Sequence, residues 1–138
     1  MTKRRQSLKI RIPPYLHSRN AWRHAIHTKL NRIAREQNVE YSENDQLELA
    51  VILYLPENKI GWHDVDNRLK DIMDSLQGRA GGPKSKRRLR AIVPNDRQIH
   101  KVTIEKRIPP PQSHGMGHLI LRKHKRITKR TADHKLGY

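Results

Sequence analysis

The sequence predicts a small α/β (α+β) domain: one mixed β-sheet flanked by two main helices. Two observations carry this. Stretches in which apolar and polar residues alternate exchange along the chain with stretches whose apolar residues recur at helical spacing. Their order is strand, helix, strand, helix, strand, strand, which suits helices layered on a single sheet. The length, 138 residues, fits one domain, so 1–138 is expected to fold as a unit.

Taken in order, Leu8, Ile10 and Ile12 alternate with Lys9 and Arg11 as a half-buried strand, which Pro13 and Pro14 end. Ser18 or Asn20 is placed to cap the next helix. There Trp22, Ala25, Ile26, Leu30, Ile33 and Ala34 share a face, up to about Gln37, and Trp22 reads as a core residue. Asn44 and Asp45 make a turn. Leu47, Leu49, Val51, Leu53 and Leu55 then form the clearest strand, and Ala50 and Ile52 point to partial cover on both faces before Pro56 stops it. Leu69, Ile72, Met73 and Leu76 mark the second helix, closed by Gly78.

Beyond that helix the composition shifts. Gly81, Gly82 and Pro83 break structure, while Lys84, Lys86, Arg87, Arg88 and Arg90 add charge without any acid, so 79–93 is expected to be a mobile basic loop. A third strand is expected over 98–106, with Val102 and Ile104 on one face. Prolines 109–111 make a stiff connector, a last strand is expected near 119–121, and a basic tail from about residue 122. With 34% apolar residues and no Phe, the core must come from Leu, Ile and Val, and a homodimer would bury more apolar surface.

Charge narrows the function. Lys plus Arg is 30 against 13 for Asp plus Glu, a net +17, which points to a polyanionic partner and first to nucleic acid. A membrane surface is the rival, but no stretch is apolar enough to span one or amphipathic enough to insert strongly. The absence of cysteine excludes disulfides, thiolate catalysis and cysteine zinc sites. No apolar signal segment opens the chain, so a reducing cytoplasm is the expected setting. Charge alone does not separate an enzyme from a passive binder.

The segment that can carry chemistry is His63-Asp64-Val65-Asp66-Asn67-Arg68-Leu69-Lys70, between the clearest strand and the second helix. Extended backbone would point Asp64 and Asp66 to one side; helical backbone would make them diverge. Carboxylate oxygens suit a hard divalent cation, which can hold and polarise a phosphodiester and activate water beside it. Lys70, four residues after Asp66, returns to the same helix face, where it can orient water or balance charge on the phosphate. Asp96, in the turn opening the third strand, is the third candidate acid, to be brought in by a neighbouring strand. Each of these has a plainer reading. An Asp-x-Asp before a helix is commonly a cap with a favourable dipole contact, Asn95-Asp96 is an ordinary turn, and Lys70 can pair with Asp66 or Asp74. Acids clustered in a nucleic-acid binder repel the ligand unless a cation intervenes.

Asp64-Val65-Asp66-Asn67-Arg68-Leu69-Lys70, continuing through Asp74-Ser75-Leu76, resembles the D-x-D-N-x-x-K helix entrance of the RusA-type Holliday-junction resolvases. Asn95-Asp96-Arg97-Gln98-Ile99, followed by a strand with Lys101 and Lys106, resembles the later acidic motif of that family. The likeness covers roughly 8–107 and extends to the element order. It implies a RusA-like fold. Asp64, Asp66 and Asp96 would be metal-binding acids and Lys70 the essential lysine. It further implies a homodimer that binds a four-way DNA junction and makes paired nicks with magnesium or manganese, leaving a 5′-phosphate and a 3′-hydroxyl. Such proteins are common in phages and prophages. Two features depart from the pattern: many members carry two adjacent acids where this chain has Asn95-Asp96, and the 79–93 segment is longer and more basic.

Lys84, Lys86, Arg87, Arg88 and Arg90 would grip the DNA backbone, or else form a solvated charge run. Trp62 would stack on an unpaired base, or else cover the rim of the core. His63 is given no role, and His114, His118 and His124 are too irregularly spaced for a zinc site. Two other functions stay open: a non-catalytic nucleic-acid-binding protein, and a related metallonuclease acting on flaps, forks or RNA.

Overall fold

The structure, a computed structural model, describes residues 6–15, 18–79, 89–113 and 115–124. Four strands and two helices follow the predicted order: β1 (Ser7–Ile12), α1 (Arg19–Gln37), β2 (Leu47–Tyr54), α2 (Val65–Leu76), β3 (Ile99–Arg107) and β4 (Gly117–Lys123). The strands form one mixed sheet in the order β1-β4-β2-β3. β4 runs antiparallel to both β1 and β2, and β2 is parallel to β3. The chain is therefore a small α+β domain.

Period-two patterning sets the layers. Leu8, Ile10 and Ile12 of β1, Leu47, Leu49, Val51 and Leu53 of β2, and Leu119 and Leu121 of β4 turn one face inward. Trp22, Ile26 and Leu30 of α1 and Ile72 and Leu76 of α2 join them in a single core. Ala50, Ile52 and Ile120 remain half-buried on the other face. Ser18 caps α1, its hydroxyl accepting from the Ala21 N–H at 3.3 Å, and Asn38 ends it in the left-handed region at φ 55°. Trp22 is fully buried and donates its indole N–H to the Pro13 carbonyl at 3.0 Å, so it belongs to the core.

One expected boundary moves and one loop is anchored. Residues 89–93 carry no helix or strand, but Ile92 and Val93 are buried, and both donate backbone N–H groups to the Leu76 carbonyl at 2.8 and 3.0 Å. They are the apolar residues at hand to close the core under the C-terminus of α2. Gly78 makes this return possible at φ 78°, since a Cβ there would stand 2.1 Å from the Leu89 carbonyl oxygen. The basic tail also begins later than residue 122, because Arg122 and Lys123 still pair in β4. Residues 80–88 and 125–138 lie outside the described residues.

Because β2 and β3 are parallel and joined through α2, the turn leaving β2 and the turn entering β3 lie at opposite ends of the sheet.

Candidate metal centre and nucleic-acid interface

Pro56 ends β2, a single 3-10 turn covers Glu57–Lys59, and the chain reaches α2 with Asp64 at the N-cap. Asp64 is still extended (φ −80°, ψ 133°) while Asp66 lies in the first helical turn, so the pair straddles the boundary rather than sharing one regime. Asp64 occupies the capping position without capping: its side chain takes no backbone N–H and instead accepts from the Asn67 amide at 3.1 Å. Asp64, Asp66 and Lys70 are all exposed, and none forms an ion pair with another described residue. The pairing of Lys70 with Asp66 or Asp74 is thus not made; Asp74 pairs with Arg23 at 3.4 Å instead.

Asp96 stands elsewhere. It begins the 3-10 turn Asp96–Gln98 that feeds β3, at the end of the sheet opposite the α2 N-terminus. Asn95 and Gln98 lock this turn as a capping box, and Gln98 anchors it by donating to the Ser42 and Asp45 carbonyls, each at 2.8 Å. The plain turn chemistry therefore falls to Asn95 and Gln98, and Asp96 is left exposed. α2 is about 18 Å long at about 1.5 Å per residue, so Asp96 is on the order of 20 Å from Asp66. The expected neighbouring strand does carry Asp96 to the edge of the sheet beside β2, but at the wrong end to meet the pair within one chain. Among the described residues no three His, Asp or Glu side chains gather closely enough to hold a metal ion. Asp64 and Asp66 by themselves fit magnesium, which is commonly bound through one or two carboxylates plus waters and substrate phosphates.

The nucleic-acid candidates also divide. Trp62 is 77% exposed, so it does not cover the core. Arg90 lies near the other end of α2, where its guanidinium pairs with Glu40 at 3.2 Å and its carbonyl oxygen lies 2.6 Å from His27 Nε2. Lys84, Lys86, Arg87 and Arg88 lie outside the described residues, as does His114.

Behind the candidate site is a buried network that periodicity alone does not reveal. Asp71 is fully buried and meets Arg19 at 3.0 Å, Arg23 at 2.9 Å and Arg68 at 3.5 Å. The Arg68 guanidinium lies over the Tyr15 ring at 4.4 Å, and Tyr15 meets Trp22 and His63 edge-on at 5.2 and 5.0 Å. Lys106 ties the end of β3 to the same turn by donating to the Ile60 carbonyl at 2.7 Å. Burial, and then the charges of Arg68, Lys106 and Lys59, hold the His63 imidazole below its usual titration range and favour the neutral ring. These contacts fasten the α2 N-terminus to α1 and β3, so the carboxylate pair sits on a rigid base.

Arg68, Tyr15, Tyr54 and Lys59 gather at this end of the sheet beside Trp62, around a cavity of about 580 Å³. The available signal for them was the strand–helix–strand order, which places the end of β2 against the start of α2. Among the described residues, no helix is long and apolar enough to cross a membrane. Comparison with protein-family models and with curated proteins finds no match for this chain.

Proposed function

We propose that this chain is a metal-dependent DNA endonuclease that cuts four-way junctions as a homodimer. The observation that carries the reading is the pair of exposed, uncommitted carboxylates, Asp64 and Asp66, at a rigid helix start in a chain of net charge +17. Neither acid is used for capping or in an ion pair among the described residues, which is the arrangement a cation-mediated phosphate site calls for. The motif likeness to RusA-type resolvases points the same way.

Asp64 and Asp66 would hold magnesium or manganese. The ion supplies, when bound, polarisation of the scissile phosphate and activation of water. Asn67, bonded to Asp64, fixes the orientation of that carboxylate. Lys70, one turn further along α2, stands where it can balance charge gathering on the phosphate. In the balanced step water adds to phosphorus, the bond to the 3′-oxygen breaks, and the products are a 5′-phosphate and a 3′-hydroxyl.

Asp96 enters from the second copy. β3 is an edge strand, and Val102 on it is 38% exposed. A two-fold axis alongside would run two copies of β3 antiparallel and set the start of each strand beside the end of the other. Asp96 of one copy then approaches Asp64 and Asp66 of the other, completing a three-carboxylate set. Two such sites related by a two-fold axis match the paired nicks that resolve a junction.

The test is incubation with a labelled four-way junction and a matched linear duplex, with and without magnesium. Magnesium-dependent cutting of the junction alone supports the reading; no product on any DNA removes it. Cutting of flaps, forks or RNA in preference to the junction would move the assignment to a related metallonuclease. A non-catalytic nucleic-acid binder is favoured by one observation, the place of Asp96 at the end of the sheet opposite Asp64 and Asp66. That reading predicts binding indifferent to branching.

A further inference from the structure

We propose that the cavity at the C-terminal end of β2 is a nucleotide subsite, which takes one unpaired nucleotide of the bound DNA between aromatic walls and cationic side chains. The proposal rests on the junction-cutting reading and adds to it the means of telling branched DNA from duplex. The cavity, about 580 Å³, is lined by Tyr15, Tyr54, Trp62 and Met116 together with Lys59 and Arg68. That volume lies within the range of roughly 300–1,000 Å³ usual for small-ligand sites.

Two features of the lining select the occupant. Trp62 offers an open ring face for stacking, with Lys59 Nζ 5.9 Å from its centre. Arg68 is only 7% exposed, yet its Nε has no hydrogen-bond partner, and Asp71, its one ionic contact among the described residues at 3.5 Å, is shared with Arg19 and Arg23. Asp71 and Asp74 against three guanidinium groups leave this cluster net positive, and Arg68 is the member of it that lines the cavity. An apolar ligand would leave the Lys59 and Arg68 cations without a counter-charge, and a bare anion would leave the aromatic rings unused. A nucleotide answers both, through its stacked base and its phosphoryl or carbonyl acceptors. The cavity adjoins His63, next to Asp64, so its occupant neighbours the bond that the carboxylate pair would cut. A base held in a duplex cannot enter; an unpaired one can.

The experiment compares a short labelled oligothymidylate strand with an abasic strand of equal length and charge, without magnesium. Binding is read by fluorescence anisotropy and by quenching of the exposed Trp62, since Trp22 is buried. The wild-type chain is expected to prefer the base-bearing strand and to be quenched by it alone. Trp62→Ala should bind that strand about tenfold more weakly, and Lys59→Ala, altering another exposed residue, should weaken it as well. Equal affinity for the two strands, or unchanged affinity in Trp62→Ala, overturns the proposal. A chain that prefers the base-bearing strand but cuts no junction keeps the subsite and loses the nuclease reading; one that cuts junctions yet binds both strands equally loses the subsite alone.

Discussion

Asp66 and Asp71 are five residues apart on one helix, and their surroundings make them opposites. Asp71 is fully buried among three arginines, whereas Asp66 is exposed with no ion-pair partner among the described residues. Removing one member of a buried ionic cluster leaves uncompensated charge, so Asp71→Ala should lower stability by about 3–5 kcal/mol, read from urea unfolding. Asp66→Asn should leave stability within about 0.5 kcal/mol of wild type, abolish magnesium-dependent cutting and keep junction affinity. Retained cutting by Asp66→Asn would remove that residue from the proposed chemistry. The sequence does not separate these two acids by residue type. Arg68, Asp71, Ile72, Ser75 and Leu76 form the buried stripe of α2, while the apolar pattern alone points to Leu69, Ile72, Met73 and Leu76. A reading that counts only apolar residues turns the helix slightly and misses the charged members of its buried face. Asp64 and Asp66, by contrast, stand out because acids so close together are unusual in so basic a chain, and Lys70 because it falls four residues after Asp66.

At the scale of elements, the two helix starts separate a cap from a candidate ligand. Ser18 makes its capping bond and Asp64 does not. Ser18→Ala should therefore cost about 1 kcal/mol in urea unfolding. Asp64→Ala should shift stability by only about 0.3 kcal/mol, the size of an exposed helix-dipole contact. Equal costs would make Asp64 an ordinary cap. The inner strands β2 and β4 carry a pH dependence. Burial, then the charges of Arg11 and Lys9, lower the His118 pKa from the ordinary 6.5. At Glu48 burial opposes the charge, but hydrogen bonds from Arg122 and His124 and the charges of Arg122 and Lys101 outweigh it and lower its pKa. In both cases the unfolded chain binds the proton more readily, so stability is greatest above the ordinary pKa values and falls as pH drops through them. The unfolding temperature should be flat between about pH 7 and 9, decline as His118 and His63 begin to resist protonation below about 6.5, and decline again in the carboxylate range. His118→Gln should shrink the upper step, leaving the share of His63, and spare the lower one; an unfolding temperature that rises on acidification would contradict both assignments. The strands and helices themselves were legible because each holds one period throughout, from Leu8–Ile10–Ile12 to Leu47–Leu49–Val51–Leu53. The sheet order was not, because periodicity records which face is buried and says nothing of which strand lies alongside.

The order of strands decides how the candidate site can be assembled, and this belongs to the whole molecule. The parallel β2–α2–β3 unit puts Asp96 and the Asp64–Asp66 pair at opposite ends of one sheet. No rearrangement of side chains joins them across on the order of 20 Å. The sequence alone could list the three acids but could not say that a single chain holds them apart. If all three serve one cation, two copies must share each site, and that has a consequence in mixtures. Asp66→Asn and Asp96→Asn homodimers should each be inactive, since every site lacks one acid. In a heterodimer of the two variants, both substitutions fall in the same site, and the other site has Asp64 and Asp66 from one copy and Asp96 from the other, all intact. Mixing the inactive variants under exchange conditions should therefore restore magnesium-dependent cutting, with about a quarter of the wild-type sites, since random pairing makes half the dimers mixed and each carries one competent site of two. The product should be a singly nicked junction in place of paired nicks. If each chain instead built its own site, every site in the heterodimer would still lack an acid and mixing would restore nothing. Restored single nicking would place Asp96 in the partner's site; continued inactivity, with subunit exchange shown by tagged copies, would overturn the shared site.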